Sequence, residues 1–388
     1  MTSSTLYLIG FGQLVNWGVL FFAFSVLLVP VEETLAVPRW QVAGAFSLAL
    51  LVSAIAAPAV GRLADRGQGP VVMQAGGFIA AGLLVAWAMM PSLLVTYIIW
   101  AGLGACMAAI LYEPVFAIVG RAFADRDTRL RAIATVTITG GLASTAFLPG
   151  TSFLVAQFGW RHAVLVLAGL VAASTLVVGR RAFKDSSFSL QSVRDAISNH
   201  DRTGIASNRS LNRLVMVFAM SSVAASAVAS NIVAALIERQ LSPERAAAIG
   251  GLLGVMQLPG RALMMSRSFS PSPFRLVIVS LSLQITGLLA LMSSAQGLLW
   301  AGISLFACGA GLTTLARPYL VLQIYGAEHA GSVNGIIARG QQLARAAGPV
   351  SAAALASIAG YGRVFAAIAV LLVAAAALTP RQHTLPDS

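Results

Sequence analysis

Charge is scarce in this chain. Only 10% of its 388 residues are charged and 58% are hydrophobic, whereas a soluble globular domain carries roughly 25% charged residues. So few charges could not cover an apolar interior in water, and the mean hydropathy of +0.84 agrees. Bilayer hydrocarbon is the solvent that tolerates such a composition. Cysteine is nearly absent: Cys106 and Cys308 both lie in apolar runs. They argue against a disulfide framework and read as small packing residues. The four histidines, His162, His200, His329 and His383, are scattered without ligand spacing, so no metal site is expected. No Gly-x-x-x-x-Gly-Lys-Ser/Thr loop is present, which argues against ATP hydrolysis. No nucleophile–base pairing stands out, so no catalytic residue and no cofactor are expected.

What the chain has in abundance is long apolar runs. They fall at 6–29, 41–60, 70–90, 93–120, 132–156, 160–179, 212–237, 244–264, 274–293, 297–322, 332–357 and 363–379. Each approaches the roughly 20 residues that cross a hydrocarbon core as a helix. Barrel strands would alternate over about 10 residues instead. The first run lacks a basic leader and a cleavage site and is too long for a typical signal peptide, so it reads as a retained first span.

The net charge of +12 and pI of about 11.1 would suggest nucleic acid in a soluble protein. Here the charges sit in short loops, where they report topology and suit an anionic leaflet, so no nucleic-acid partner is expected. With both termini cytoplasmic, seventeen basic residues fall in inside loops. Five, Arg39, Arg161, Arg239, Arg245 and Arg363, fall outside, and Arg317, Arg339 and Arg345 lie within spans. That bias sets the orientation. Residues 180–211 are polar, basic and serine-rich, as in a flexible cytoplasmic linker. They divide the chain into an N-terminal bundle, 1–179, and a C-terminal bundle, 212–388, of six helices each.

The halves repeat one another. A shift of 200 brings Gly140 onto Gly340 and Pro149 onto Pro349, and a shift of 199 brings Gly61-Arg62 onto Gly260-Arg261. Trp100-Ala-Gly recurs as Trp300-Ala-Gly, and Glu113-Pro114 as Arg317-Pro318 with the charge reversed. These matches fall in corresponding helices and argue for internal duplication.

On these features the chain resembles the major facilitator superfamily of secondary transporters. The loop Gly61-Arg62-Leu63-Ala64-Asp65-Arg66-Gly67, between the second and third runs, is similar to that family's loop signature. The chain departs from the pattern in three places. Gln68-Gly69-Pro70 replaces further basic residues, Ile98 stands where drug/proton antiporters carry an arginine, and Gly260-Arg261 lacks a following aspartate. The resemblance implies an all-α membrane protein of twelve transmembrane helices in two pseudo-symmetric six-helix bundles. It also implies alternating access around a central substrate site. Gly61 permits a tight turn, while Asp65 can face a helix N-terminus and Arg66 can pair locally. Together these three could latch the halves in one state.

Ionisable groups inside a span cost roughly 2.5–3.5 kcal/mol on insertion scales, so they are the default functional residues. Arg345 lies near mid-span in the eleventh run and offers a forked donor to a carboxylate. Gln341 and Gln342 are one turn away. In the first run Gln13, Asn16 and Trp17 stand at spacings of three and four, either lining a cavity or joining helices. Tyr112 can stack on or hydrogen-bond a ligand. Glu113 is the one acid well inside a span. It either pairs with Arg317 or Arg339 as an inner gate or carries a coupling proton. Pro114 and Pro318 permit kinks beside Glu113 and Arg317.

The expected function is secondary active transport of a small solute, an organic anion by preference. A proton-coupled efflux pump for toxic or lipophilic compounds is one alternative, and a non-transporting receptor or assembly protein is another. The expected partners are a small-molecule substrate and the bilayer of the plasma membrane (the inner membrane in a Gram-negative cell), with the chain a monomer.

Overall fold

The computed structural model describes residues 3–89, 92–122, 126–182, 209–259, 272–293 and 295–379. Among the described residues all regular structure is helical, and nine stretches are long and apolar enough to cross a membrane. Two of these are far too long for one crossing: Thr135–Ala182 has 48 residues and Val333–Leu378 has 46. Each contains one glycine in the left-handed region, Gly159 at φ 74° and Gly360 at φ 76°. Glycine adopts that conformation without steric cost, and each break leaves two pieces of membrane length. With helix Pro243–Val255 in the eighth place, the order accommodates the expected twelve spans.

Elsewhere the helix ends follow local chemistry. The first span runs Ser3–Trp17, widens into a π-helical turn at Gly18–Phe22, and continues as Ala23–Leu35. Helix Leu93–Ile110 starts on Ser92, whose hydroxyl accepts from the Val95 N–H at 3.2 Å. Helix Arg39–Leu63 leads into a turn at Ala64–Gln68. The left-handed residue there is Gly67, at φ 83°, while Gly61 has open space around its Cα. Of the linker expected at 180–211, residues 183–208 lie outside the described set.

The chain separates into two compact units. One comprises 1–37 and 44–203, the other 38–43 and 204–388. Many large apolar side chains face outward, among them Ile55, Val71, Ile98 and Ile358. That is the expected arrangement where lipid tails are the solvent. Lipid is as apolar as leucine, so helices are held by close packing and interhelical hydrogen bonds rather than by escape from water.

Both units show this. In the first, Trp87, Trp100, Phe24 and Phe46 are fully buried and interlock, with ring centroids 4.5–5.5 Å apart. The Trp87 indole donates to the Thr96 hydroxyl at 3.1 Å. Gly104 lies against the Ala49 backbone so closely that a Cβ would collide with the Ala49 carbonyl. In the second, Gly287 and Gly302 let helix Pro273–Leu291 meet the start of helix Gln296–Leu378 backbone to backbone. Buried Gln284 donates to Thr313 at 3.0 Å, and Thr313 donates to Ser280 at 3.2 Å.

Tyr361, just past Gly360, is buried and donates its hydroxyl to the Asn231 side-chain oxygen at 2.9 Å. Tyr361→Phe is expected to cost about 1–3 kcal/mol, because it strands a buried acceptor. Thermal unfolding of the purified protein measures this.

Candidate functional site

The fourth span carries a built-in defect. Pro114 has no N–H, so the carbonyl four residues earlier, Ile110, loses its helical donor. The helix ends at Ile110, Leu111 is extended at φ −81°, ψ −156°, and a new helix runs Tyr112–Ala122. The first span repairs the loss. Gln13 Nε2 donates to the Ile110 oxygen at 2.7 Å, and Asn16 Nδ2 donates to it at 3.3 Å. Both side chains are buried, and they border a small cavity shared with Gln74, Ser174 and Thr175. The structure therefore brings Gln13 and Asn16 together on one backbone carbonyl inside their own unit.

Beyond the break the chain presents aromatic groups. Trp17 and Tyr112 lie with ring centroids 5.0 Å apart, and Tyr112 stacks on Phe116 at 5.3 Å. The Tyr112 hydroxyl reaches the Thr137 carbonyl at 3.5 Å, and Gly140 makes room for it. The Trp17 indole N–H is buried and has no hydrogen-bond partner among the described residues.

The second unit gathers the cationic groups. Arg317 Nη1 donates to Gln341 Oε1, and Gln341 Nε2 donates to the Phe218 carbonyl at 3.4 Å. Arg345 stands four residues from Gln341, on the same helical face, and Gln342 lies beside them, half-buried. Arg317, Gln341 and Arg345 are all half-buried, whereas Arg339 is exposed. The expected partner of Arg317 or Arg339 was Glu113, whose side chain lies outside the described residues, as do those of Asp65 and Arg66.

Sequence reasoning passed over one residue here. Ser226 belongs to a Ser- and Ala-rich stretch of the seventh run, and its hydroxyl donates to the Arg345 carbonyl at 2.8 Å. Pro349, four residues after Arg345, was the signal available. It removes the N–H that this carbonyl would otherwise accept.

The model of the Major Facilitator Superfamily matches residues 6–349. Monocarboxylate transporter 13 of Rattus norvegicus is 30% identical over 162 residues, covering 41% of this chain and 35% of that protein. Monocarboxylate transporter 11 of Mus musculus is 34% identical over 128 residues, covering 32% of this chain and 27% of that protein. The chain thus spans about a third of the length of these relatives. A bacterial homologue of the human lysosomal transporter Spinster superposes with a TM-score of 0.73 at 14% identity, over 97% of this chain and 96% of that one. A human organic anion transporter gives a TM-score of 0.69 at 17% identity, over 98% and 100%. At these identities the structural likenesses show a shared fold.

Proposed function

The chain belongs to the Major Facilitator Superfamily, a family of transporters and not of enzymes, and from that premise we propose that it carries a small organic anion across the membrane by alternating access. The observation that supports this most is two half-buried arginines, each within one helical turn or one hydrogen bond of Gln341 in an apolar bundle. Arg317 is bonded to Gln341, and Arg345 stands one turn further along the same face. Guanidinium groups offer planar, two-pronged donation that matches a carboxylate. A cation held in hydrocarbon is costly, and an anionic solute offsets that cost while bound. The relatives named as monocarboxylate and organic anion transporters point to the same solute class.

In this reading Arg345 and Arg317 hold the carboxylate, and Gln341 fixes the Arg317 fork. In the first unit Trp17 and Tyr112 form an aromatic pair. Gln13 and Asn16 act one step back, by completing the backbone that carries Tyr112. The chain spans the plasma membrane with both termini in the cytoplasm, as its loop charges direct.

Thermal unfolding in detergent tests the solute class. Short monocarboxylates should raise the midpoint, and above their Kd it should climb with the logarithm of concentration, since a ligand at 100 times its Kd stabilises by about 2.7 kcal/mol. Stabilisation by lipophilic cations with none from carboxylates would replace this reading with that of an efflux pump.

A further inference from the structure

We propose that Ser226 is a positioning residue for Arg345. Its hydroxyl replaces the helical hydrogen bond that Pro349 removes and thereby sets where the Arg345 backbone lies. For its transport consequence the proposal rests on the anion reading above; its structural content does not.

In an uninterrupted helix the Arg345 carbonyl would accept from the N–H of residue 349. That residue is proline, which has none. A carbonyl inside hydrocarbon cannot turn to water, so a neighbouring side chain must serve it. Ser226 does so from helix Arg209–Ile237, with its oxygen 2.8 Å from the carbonyl oxygen. The same hydroxyl lies 3.1 Å from the Val223 carbonyl of its own helix, so its single hydrogen is shared, with the shorter contact to Arg345.

Two further features hold the contact in place. Gly348 removes the side chain that would block the approach: a Cβ there would collide with Ser226 Oγ and sit 2.7 Å from the Val223 oxygen. Little more than one helical turn along, Asn231 Nδ2 donates to the Pro349 carbonyl at 3.3 Å. Helix Arg209–Ile237 therefore grips the proline-marked stretch of the partner helix at two carbonyls four residues apart, and one of them belongs to the anion-holding residue.

The first unit uses the same chemistry. Pro114 orphans the Ile110 carbonyl, and Gln13 and Asn16 answer it. In both units a carbonyl left without its helical donor by proline is served by a side chain on another helix.

A double-mutant cycle tests the proposal, using the full-length protein in proteoliposomes. Ser226→Ala should raise the KM for a short monocarboxylate about two- to tenfold, the worth of one ordinary hydrogen bond, with kcat less affected. Pro349→Ala restores the helical N–H, so adding Ser226→Ala to it should change KM no further. A second readout is free of the anion reading. The alkylation rate of a cysteine placed at 345 should respond to Ser226→Ala in the Pro349 background and not in the Pro349→Ala background. Additive effects in the labelling cycle would overturn the proposal, whether or not carboxylates are transported. Failure of the wild-type protein to transport carboxylates, with the labelling cycle still coupled, would remove the anion reading and leave the positioning role standing.

Discussion

Arg345→Gln should lower carboxylate transport about 10- to 150-fold while leaving the protein folded. The range is the worth of one hydrogen bond between charged groups, about 1.5–3 kcal/mol, converted at about 1.4 kcal/mol per tenfold. Glutamine keeps much of the length and polarity of arginine but removes the charge and the fork. Arg345→Lys keeps the charge on a single point, so it should fall between wild type and Arg345→Gln. Stability should move the other way. An arginine in a span costs about 2.5–3.5 kcal/mol on insertion scales, so the uncharged variant should unfold at an equal or higher temperature. A residue retained for packing would show the reverse, with transport lost in step with folding. Counterflow and thermal unfolding on the same preparation separate the two.

The second large effect concerns the bundle that carries the aromatic residues. Gly104→Ala should destabilise the protein by about 1–3 kcal/mol, the usual cost of overpacking, and lower its unfolding temperature by several degrees. The new methyl group would meet the Ala49 carbonyl, carbon and Cα, all backbone atoms with no rotamer to relieve the clash. Helix Arg39–Leu63 would have to move away from helix Leu93–Ile110. Gly82→Ala is the matched comparison, because a Cβ at Gly82 meets nothing within 4 Å. Alanine is the better helix former, so that change should be neutral or mildly stabilising. Equal losses at the two positions would show that close approach at Gly104 does not hold the bundle.

The second unit repeats this arrangement. Gly311 sits against the Gln257 backbone, with Cα and O both 2.9 Å from a built Cβ. The repeat was legible in paired glycines, prolines and tryptophans, because duplication preserves residue types at corresponding depths. The spans and the family were legible for a simpler reason: twenty apolar residues in a row have few other uses. The tight turns at Gly159 and Gly360 fall between runs that hydropathy already separated.

The site was legible only in part. Composition inside the spans pointed to Arg317, Gln341 and Arg345 because polar groups in hydrocarbon are rare. It could not give their partners. The Gln13 and Asn16 amides reach a carbonyl more than ninety positions away, and Ser226 reaches one 119 positions away. Such pairings are set by how helices cross, which a one-dimensional pattern does not encode. Prolines offered a partial key. Pro114 and Pro349 each mark a carbonyl that needs an outside donor, and the three donors, Gln13, Asn16 and Ser226, are polar residues within apolar runs. In the loop signature the glycines pointed to a tight turn, and the positive φ falls on Gly67, two residues before helix Gly69–Met89 begins.

Counterflow in proteoliposomes tests the central claim most directly. Vesicles holding the purified protein and an excess of unlabelled short monocarboxylate should transiently accumulate the labelled compound against its gradient, and vesicles with Arg345→Gln should not. Absence of accumulation for every carboxylate tried, in vesicles where the protein is folded and inserted, would contradict the account.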